Sequence, residues 1–133
     1  MTELPGISSA EWTVMQVLWR QSSFLSAIEV HEALEGSSNW HPKTVRTLLG
    51  RLLRKGAVSR RKRGGVYRFS ALVQEEDCVR EEGRSFLERC FAGNARPMLA
   101  HFIEHEDLTA QDIATLRAML DKRAEQEKGH GKR

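Results

Sequence analysis

The 133-residue sequence predicts a mainly α chain with one small β-hairpin, in which three short helices and the hairpin are followed by a second, helical part. Three observations carry that prediction. Capping boxes precede apolar residues at helical spacing, one pair of β-type runs flanks Arg63-Gly64-Gly65, and the charge changes sign after Leu72. Residues 1–72 hold eleven Lys and Arg against five Asp and Glu, whereas residues 73–133 hold ten against thirteen. The window Gly36 to Leu72 contains ten basic residues and no acidic one, although the net charge of the chain is only +3. A solvated stripe of one sign creates a field suited to phosphates.

With 40% hydrophobic and 29% charged residues, the composition is that of one or two globular domains with a packed core. No run of 18 apolar residues exists, and the start MTELPGISSAEW has neither a basic nor an apolar leader region. A cytoplasmic location without membrane insertion is therefore expected. Cys78 and Cys90 lie twelve apart in one predicted helix, roughly 120° apart in azimuth, which disfavours an intrachain disulfide. Without a Cys-x-Cys or Cys-x-x-Cys pair, no thiolate metal site is expected, and no cofactor.

Ser8-Ser9-Ala10-Glu11 opens the first helix, in which Trp12, Met15, Leu18 and Trp19 form the apolar stripe and are expected in the core before a break at Ser22-Ser23. Ser26-Ala27-Ile28-Glu29 opens a second, with Val30, Ala33 and Leu34, ending at Gly36 as a left-handed cap. Pro42 suits the first position of a third helix, whose interior is Lys43 to Lys55. There Val45, Leu48, Leu49, Leu52 and Leu53 make one face aliphatic. Lys43, Thr47, Gly50, Arg51 and Arg54 project opposite it, with Thr44 and Arg46 flanking. Gly50 costs a helix interior about 1 kcal/mol relative to Ala. Either a close approach requires it or it is tolerated.

Gly56 ends that helix, and Ala57 to Lys62 and Val66 to Ser70 read as the two strands of the hairpin, its glycines supplying the positive φ of a tight turn. Val58, Val66 and Phe69 are expected to face the helices, although Tyr67 and Phe69 share a strand face. Arg60, Arg61, Lys62, Arg63 and Arg68 crowd the hairpin. Beyond Leu72, Gln74-Glu75-Glu76-Asp77 starts a fourth helix that runs to Gly93, Pro97 a fifth, and Thr109-Ala110-Gln111-Asp112 a sixth. Three amphipathic helices are marginal as an isolated core, so a homodimer is expected through Phe86, Leu87, Phe91, Leu99, Phe102, Ile103, Ile113, Leu116 and Leu120. The expected divisions are 1–72, 73–122 and a charged, fraying tail, 123–133.

Three helices and a hairpin over residues 8–72 is the order of a winged helix-turn-helix, in which the third helix enters a DNA major groove and the hairpin, or wing, lies on the backbone or minor groove. Arg and Lys read guanine edges, Thr contacts bases or the thymine methyl, and wing cations neutralise phosphates. An RNA- or other phosphate-binding module is the alternative, since charge alone does not distinguish nucleic acids. RNA modules commonly present stacking aromatics, and Trp40 and Tyr67 are here expected to pack. His101-Phe102-Ile103-Glu104-His105 matches the H-x-x-E-H pattern of zinc peptidases. Such a site also needs a further ligand and a cleft, so no enzyme is expected.

Three stretches make a family resemblance specific: Ile7-Ser8-x-Ala10-Glu11-Trp12-x-Val14-Met15, Lys43-Thr44-Val45-Arg46-Thr47-Leu48-Leu49-Gly50-Arg51-Leu52 and Gly65-Val66-Tyr67-Arg68-Phe69. The chain resembles the penicillinase-repressor and methicillin-resistance-repressor family (BlaI/MecI/CopY) over nearly its whole length. The resemblance implies a dimeric repressor of resistance or stress genes on a two-fold operator. It places Lys43, Thr44, Arg46, Thr47 and Arg51 on double-stranded DNA, with Gly50 where relatives often carry a polar residue. It also implies a membrane sensor pathway with a metallopeptidase, which in the β-lactam regulators cuts an Asn-Phe bond. The corresponding bond here is His101-Phe102, a departure from that pattern. The copper-responsive branch carries Cys-x-Cys pairs in its tail, and this tail has no cysteine.

Overall fold

A computed structural model describes residues 4–21 and 23–130, with His130 described in its backbone alone. The elements are α1 (Ser9–Arg20), β1 (Leu25–Ser26), α2 (Ala27–Leu34), α3 (Pro42–Lys55), β2 (Val58–Arg63), β3 (Val66–Ala71), α4 (Glu75–Phe91), α5 (Ala95–His105) and α6 (Ala110–His130). The chain divides into two compact units, residues 1–85 and 86–133, with the division inside α4.

In the first unit, both capping boxes form as the sequence predicts. The Ser8 hydroxyl accepts from the Glu11 N–H and the Glu11 carboxylate accepts from the Ser8 N–H; Ser26 and Glu29 repeat the arrangement. Each of these glutamates also holds a cation from a distant element. Glu11 Oε1 lies 2.5 Å from Lys55 Nζ and Glu29 Oε1 lies 2.7 Å from Arg68 Nη1. A motif local in sequence thus becomes a tertiary latch twice. Glu11 is 2% exposed, so its charge is tolerated only because the Ser8 N–H and the Lys55 ammonium converge on it.

The core is built by Val14, Met15, Val17 and Leu18 of α1, Val30 and Leu34 of α2, Val45, Leu48, Leu49 and Leu52 of α3, and Ala57, Val58 and Phe69 from the hairpin. Trp12 and Trp19, expected at the centre, are half-buried and meet edge to face at 5.4 Å; Trp19 Nε1 donates to the Val73 carbonyl. Val14 and Val17 fill the buried side of α1 beside Met15 and Leu18, and Trp19 sits at its edge, where its ring N–H has a carbonyl in reach. Ala33 is exposed. The expected break at Ser22-Ser23 falls partly on Ser22, outside the described residues.

Pro42 occupies the first turn of α3 and Gly56 caps its end at φ 80°, as expected. Gly36 does not cap α2, whose last carbonyls are reached differently. The Ser37 and Ser38 N–H groups both donate to the Leu34 carbonyl, so no left-handed residue is required. The hairpin turns on Gly64 and Gly65, at φ 59° and 80°. It is extended to three strands in the order β1-β3-β2 by β1, which sequence periodicity did not show. Val66, expected against the helices, is 44% exposed. The register pairs Val58 with Ala71 and Arg60 with Phe69, so Tyr67 and Phe69 share the face of Val58 and Val66 falls on the other.

In the second unit, α5 begins at Ala95, two residues before the predicted start. Pro97 still lies in the first turn, where its missing N–H has no intrahelical acceptor to leave unpaired. Thr109 and Asp112 exchange side chain to backbone hydrogen bonds of 3.0 and 3.1 Å at the start of α6. Residues 123–130, expected to fray, continue α6. Lys122 to Lys128 are strong helix formers without a breaker, and Arg123 precedes Glu127 by one turn. No helix of the described residues is long and apolar enough to cross a membrane.

Candidate nucleic-acid interface

The aliphatic side of α3 is sealed in the core, which forces its other side outward. Lys43, Thr44, Arg46, Thr47, Arg51 and Arg54 are all exposed on it. Placement begins at His41, whose Nδ1 accepts from the Lys43 N–H at 3.0 Å and caps the helix at the end where Lys43 and Thr44 stand. Thr47 Oγ1 donates to the Lys43 carbonyl at 3.0 Å, which fixes its hydroxyl along the helix. At the other end, Lys55 is withdrawn by Glu11 and by the Gly6 carbonyl at 2.8 Å.

On the hairpin, Arg60, Arg61, Lys62 and Arg63 are exposed. Strand alternation separates them into two sets. Arg60 lies with its guanidinium 4.0 Å from the centre of the Tyr67 ring and Lys62 Nζ lies 5.3 Å from it, on the face turned toward the helices. Arg61 lies on the opposite face, 4.3 Å over the Phe24 ring. Arg68 is paired with Glu29. Of the ten cations between Gly36 and Leu72, Lys55 and Arg68 are therefore engaged. Lys43, Arg46, Arg51, Arg54, Arg60, Arg61, Lys62 and Arg63 make no ion pair among the described residues. The sequence also counts Arg68 among the hairpin cations, and its pairing with Glu29 removes it from this set.

Tyr67 does not pack into the core as expected; it is 43% exposed and held by cations. Trp40 is half-buried against the core. Sequence reasoning missed Phe24 and the 64% exposed Ile28 beside this surface. An apolar residue in the first turn of α2, off the Val30–Leu34 stripe, is the signal that marks Ile28.

Two ion-pair carboxylates have shifted titrations. Burial raises the Glu11 pKa, but the Lys55 hydrogen bond and charge and the Ser8 backbone and hydroxyl groups together outweigh it, so the carboxyl titrates below its ordinary value. The Glu29 carboxyl is lowered by the Ser26 N–H first, against desolvation and with help from Arg68.

In the second unit, Phe86 stacks on Phe102 at 6.1 Å and touches Phe91 at 5.8 Å. Leu99, Phe102, Ile103, Leu108, Leu116 and Leu120 line a groove of about 490 Å³ along α5 and α6. Ile103 and Leu120 are 60% and 62% exposed, and Ile113 stays open as well. Leu87 is half-buried. The His101–Phe102 bond lies within α5. The His101 and His105 rings stack at 4.4 Å, and His105 Nδ1 is 2.9 Å from the His101 carbonyl. Among the described residues no group of three or more His, Cys, Asp or Glu side chains is placed to hold a metal ion, so the H-x-x-E-H segment has no third ligand there.

A three-helix core closed by an antiparallel hairpin, with every unpaired charge on the open side of the third helix and on the hairpin a cation, defines a winged helix. The chain belongs to the penicillinase repressor family, whose model matches residues 7–122. It is 35% identical over 117 residues to the methicillin resistance regulatory protein MecI of Staphylococcus aureus (strain N315), covering 88% of this chain and 94% of that one. It is 35% identical over 128 residues to the penicillinase repressor of Bacillus licheniformis, covering 96% and 99%. Among solved structures, the DNA binding domain of the repressor BlaI matches with a TM-score of 0.51 and 40% identity, covering 58% of this chain and 93% of that domain.

Proposed function

We propose that the chain is a dimeric transcriptional repressor that binds a two-fold operator in duplex DNA. The observation that carries this reading is the set of eight exposed cations on α3 and the hairpin with no carboxylate partner among the described residues. In this reading α3 lies in the major groove, where Lys43, Thr44, Thr47 and Arg51 meet base edges and Arg46 and Arg54 meet its borders, while Arg60, Arg61, Lys62 and Arg63 meet the backbone. Family membership and the repressor names of the relatives support it. The test is duplex binding as a function of salt. If each subunit neutralises about three to five phosphates, log K falls against log salt with a slope of roughly −5 to −9 for the dimer. A flat response, or preference for structured RNA over duplex DNA, would sink the reading.

Pairing of two copies is supported by the open apolar faces of α5 and α6, which no element of the second unit covers among the described residues. Release by proteolysis at His101–Phe102, through a membrane sensor metallopeptidase pathway, is supported by the exposure of His101, while Phe102 lies on the groove proposed for pairing and becomes accessible when the two copies part there. The helix that carries the bond is eleven residues long and its Asn94 cap makes no side-chain hydrogen bond, so opening it locally is cheap. Incubation with the purified metallopeptidase and mass analysis of the fragments checks this; cleavage elsewhere, or none, refutes it.

A further inference from the structure

We propose that the cleft between α3, the start of α2 and the hairpin seats one sugar–phosphate strand of the duplex, with Arg46 and Arg60 clamping a phosphate and Ile28 and Tyr67 packing on the adjoining sugar. The proposal rests on the DNA-binding reading and adds the place where the backbone passes. The cleft encloses about 420 Å³ and is lined by Ile28, Arg46, Gly50, Leu53, Arg60 and Tyr67, among others. Its rim is cationic and its floor apolar, which matches a ligand with an anionic edge and an apolar face. A free phosphate would leave the floor wet, and an apolar ligand would leave two arginines beside it unanswered. Ile28 and Tyr67 are 64% and 43% exposed, so apolar area beside the cations waits for cover.

The hairpin register makes this cleft selective among cations. Arg60 shares the face of Tyr67 and Phe69, whereas Arg61 sits over Phe24 on the reverse. The Tyr67 ring under the Arg60 guanidinium restricts where that side chain points. Gly50 completes the geometry. A Cβ at this position would meet only the Arg54 guanidinium, at 3.7 Å, so nothing inside the chain requires glycine there. What its missing side chain leaves open is the α3 wall of the cleft, which also borders the exposed face of α3.

The test uses the full chain and a duplex that the wild-type protein selects from a random-sequence library, with single phosphates replaced by neutral methylphosphonates. We expect one phosphate in each half-site at which neutralisation weakens the wild type about tenfold, the usual size of one charge-assisted contact. The Arg60→Ala protein should show a markedly smaller response at that phosphate, with Arg46 left to hold it, and the Arg61→Ala protein should keep the full response whatever its own affinity. Gly50→Leu should melt no lower than wild type, because leucine is the better helix former, yet bind the duplex at least about tenfold more weakly. Equal responses of Arg60→Ala and Arg61→Ala at every phosphate, or wild-type affinity in a folded Gly50→Leu protein, overturns the cleft proposal. Failure of the wild type to enrich any duplex instead overturns the DNA-binding reading beneath it.

Discussion

The carboxylate of Glu11, in the first turn of α1, and the ammonium of Lys55, in the last turn of α3, lie 2.5 Å apart with the glutamate 2% exposed. The pair joins residues 44 apart in sequence and sets the end of the exposed helix against the start of the chain's first helix. Lys55 also reaches the Gly6 carbonyl, so one ammonium holds two segments.

Replacing Lys55 by Met leaves a buried carboxylate with the Ser8 N–H alone. A loss of roughly 1–3 kcal/mol in urea unfolding is expected, below the full cost of breaking a buried pair because Lys55 itself is a third exposed. The double replacement Glu11→Leu, Lys55→Met should recover part of it. If the double variant is less stable than Lys55→Met by more than the helix cap is worth, about 1 kcal/mol, the pair is not the source of the loss.

Because the Glu11 pKa is lowered on folding, its ionised form stabilises the native state. That contribution is complete above the ordinary carboxylate pKa of about 4.3 and is lost as pH falls through the lower native value. Wild type and Glu11→Gln should therefore differ in stability at pH 7 and converge below about pH 4. A gap that stays constant from pH 7 to pH 3 contradicts the assignment.

Arg51 stands on the outer side of α3 without a carboxylate partner among the described residues. Arg51→Ala should relax sequence preference at one base pair per half-site by about 1–3 kcal/mol, the value of a bidentate contact to guanine. Arg63→Ala, at the hairpin, should weaken all duplexes alike and lower the salt slope by about one for each phosphate it no longer neutralises. Indistinguishable profiles for the two variants would remove the division between helix and wing.

Carboxylates introduced on the open face of the second unit should block pairing. Leu116→Asp or Leu120→Asp should sediment as a monomer and lose operator affinity, with unfolding of the first unit unchanged. A variant that remains a dimer moves the interface elsewhere.

Features written in neighbouring residues were legible in the sequence. Ser8 with Glu11, Ser26 with Glu29, Pro42 and Gly56 mark helix ends because a cap is satisfied within three or four residues. The cationic face followed for the same reason, once the helical period put five aliphatic residues on the other side. Features that depend on a distant partner were not. Leu25 becomes a strand residue because Phe69 pairs with it, and Glu11 becomes buried because Lys55 arrives. Tyr67 has the composition of a core residue and is held at the surface by Arg60 and Lys62, an arrangement that only the hairpin register specifies. The helical course of residues 123–130 was hidden by their charge, which resembles that of a solvated tail although most of these residues favour helix.

The two capping glutamates also order events in time. Each acceptor is set by a loop of three residues, which closes within nanoseconds to microseconds, before the cations of α3 and β3 can reach it across 44 and 39 residues. Each latch is thus cocked by local chemistry and closed by the collapse of the chain. Folding rates should record this asymmetry: Ser8→Ala and Ser26→Ala are expected to slow folding, and Lys55→Met chiefly to speed unfolding, so that the same carboxylate reports a high φ from its serine and a low φ from its lysine.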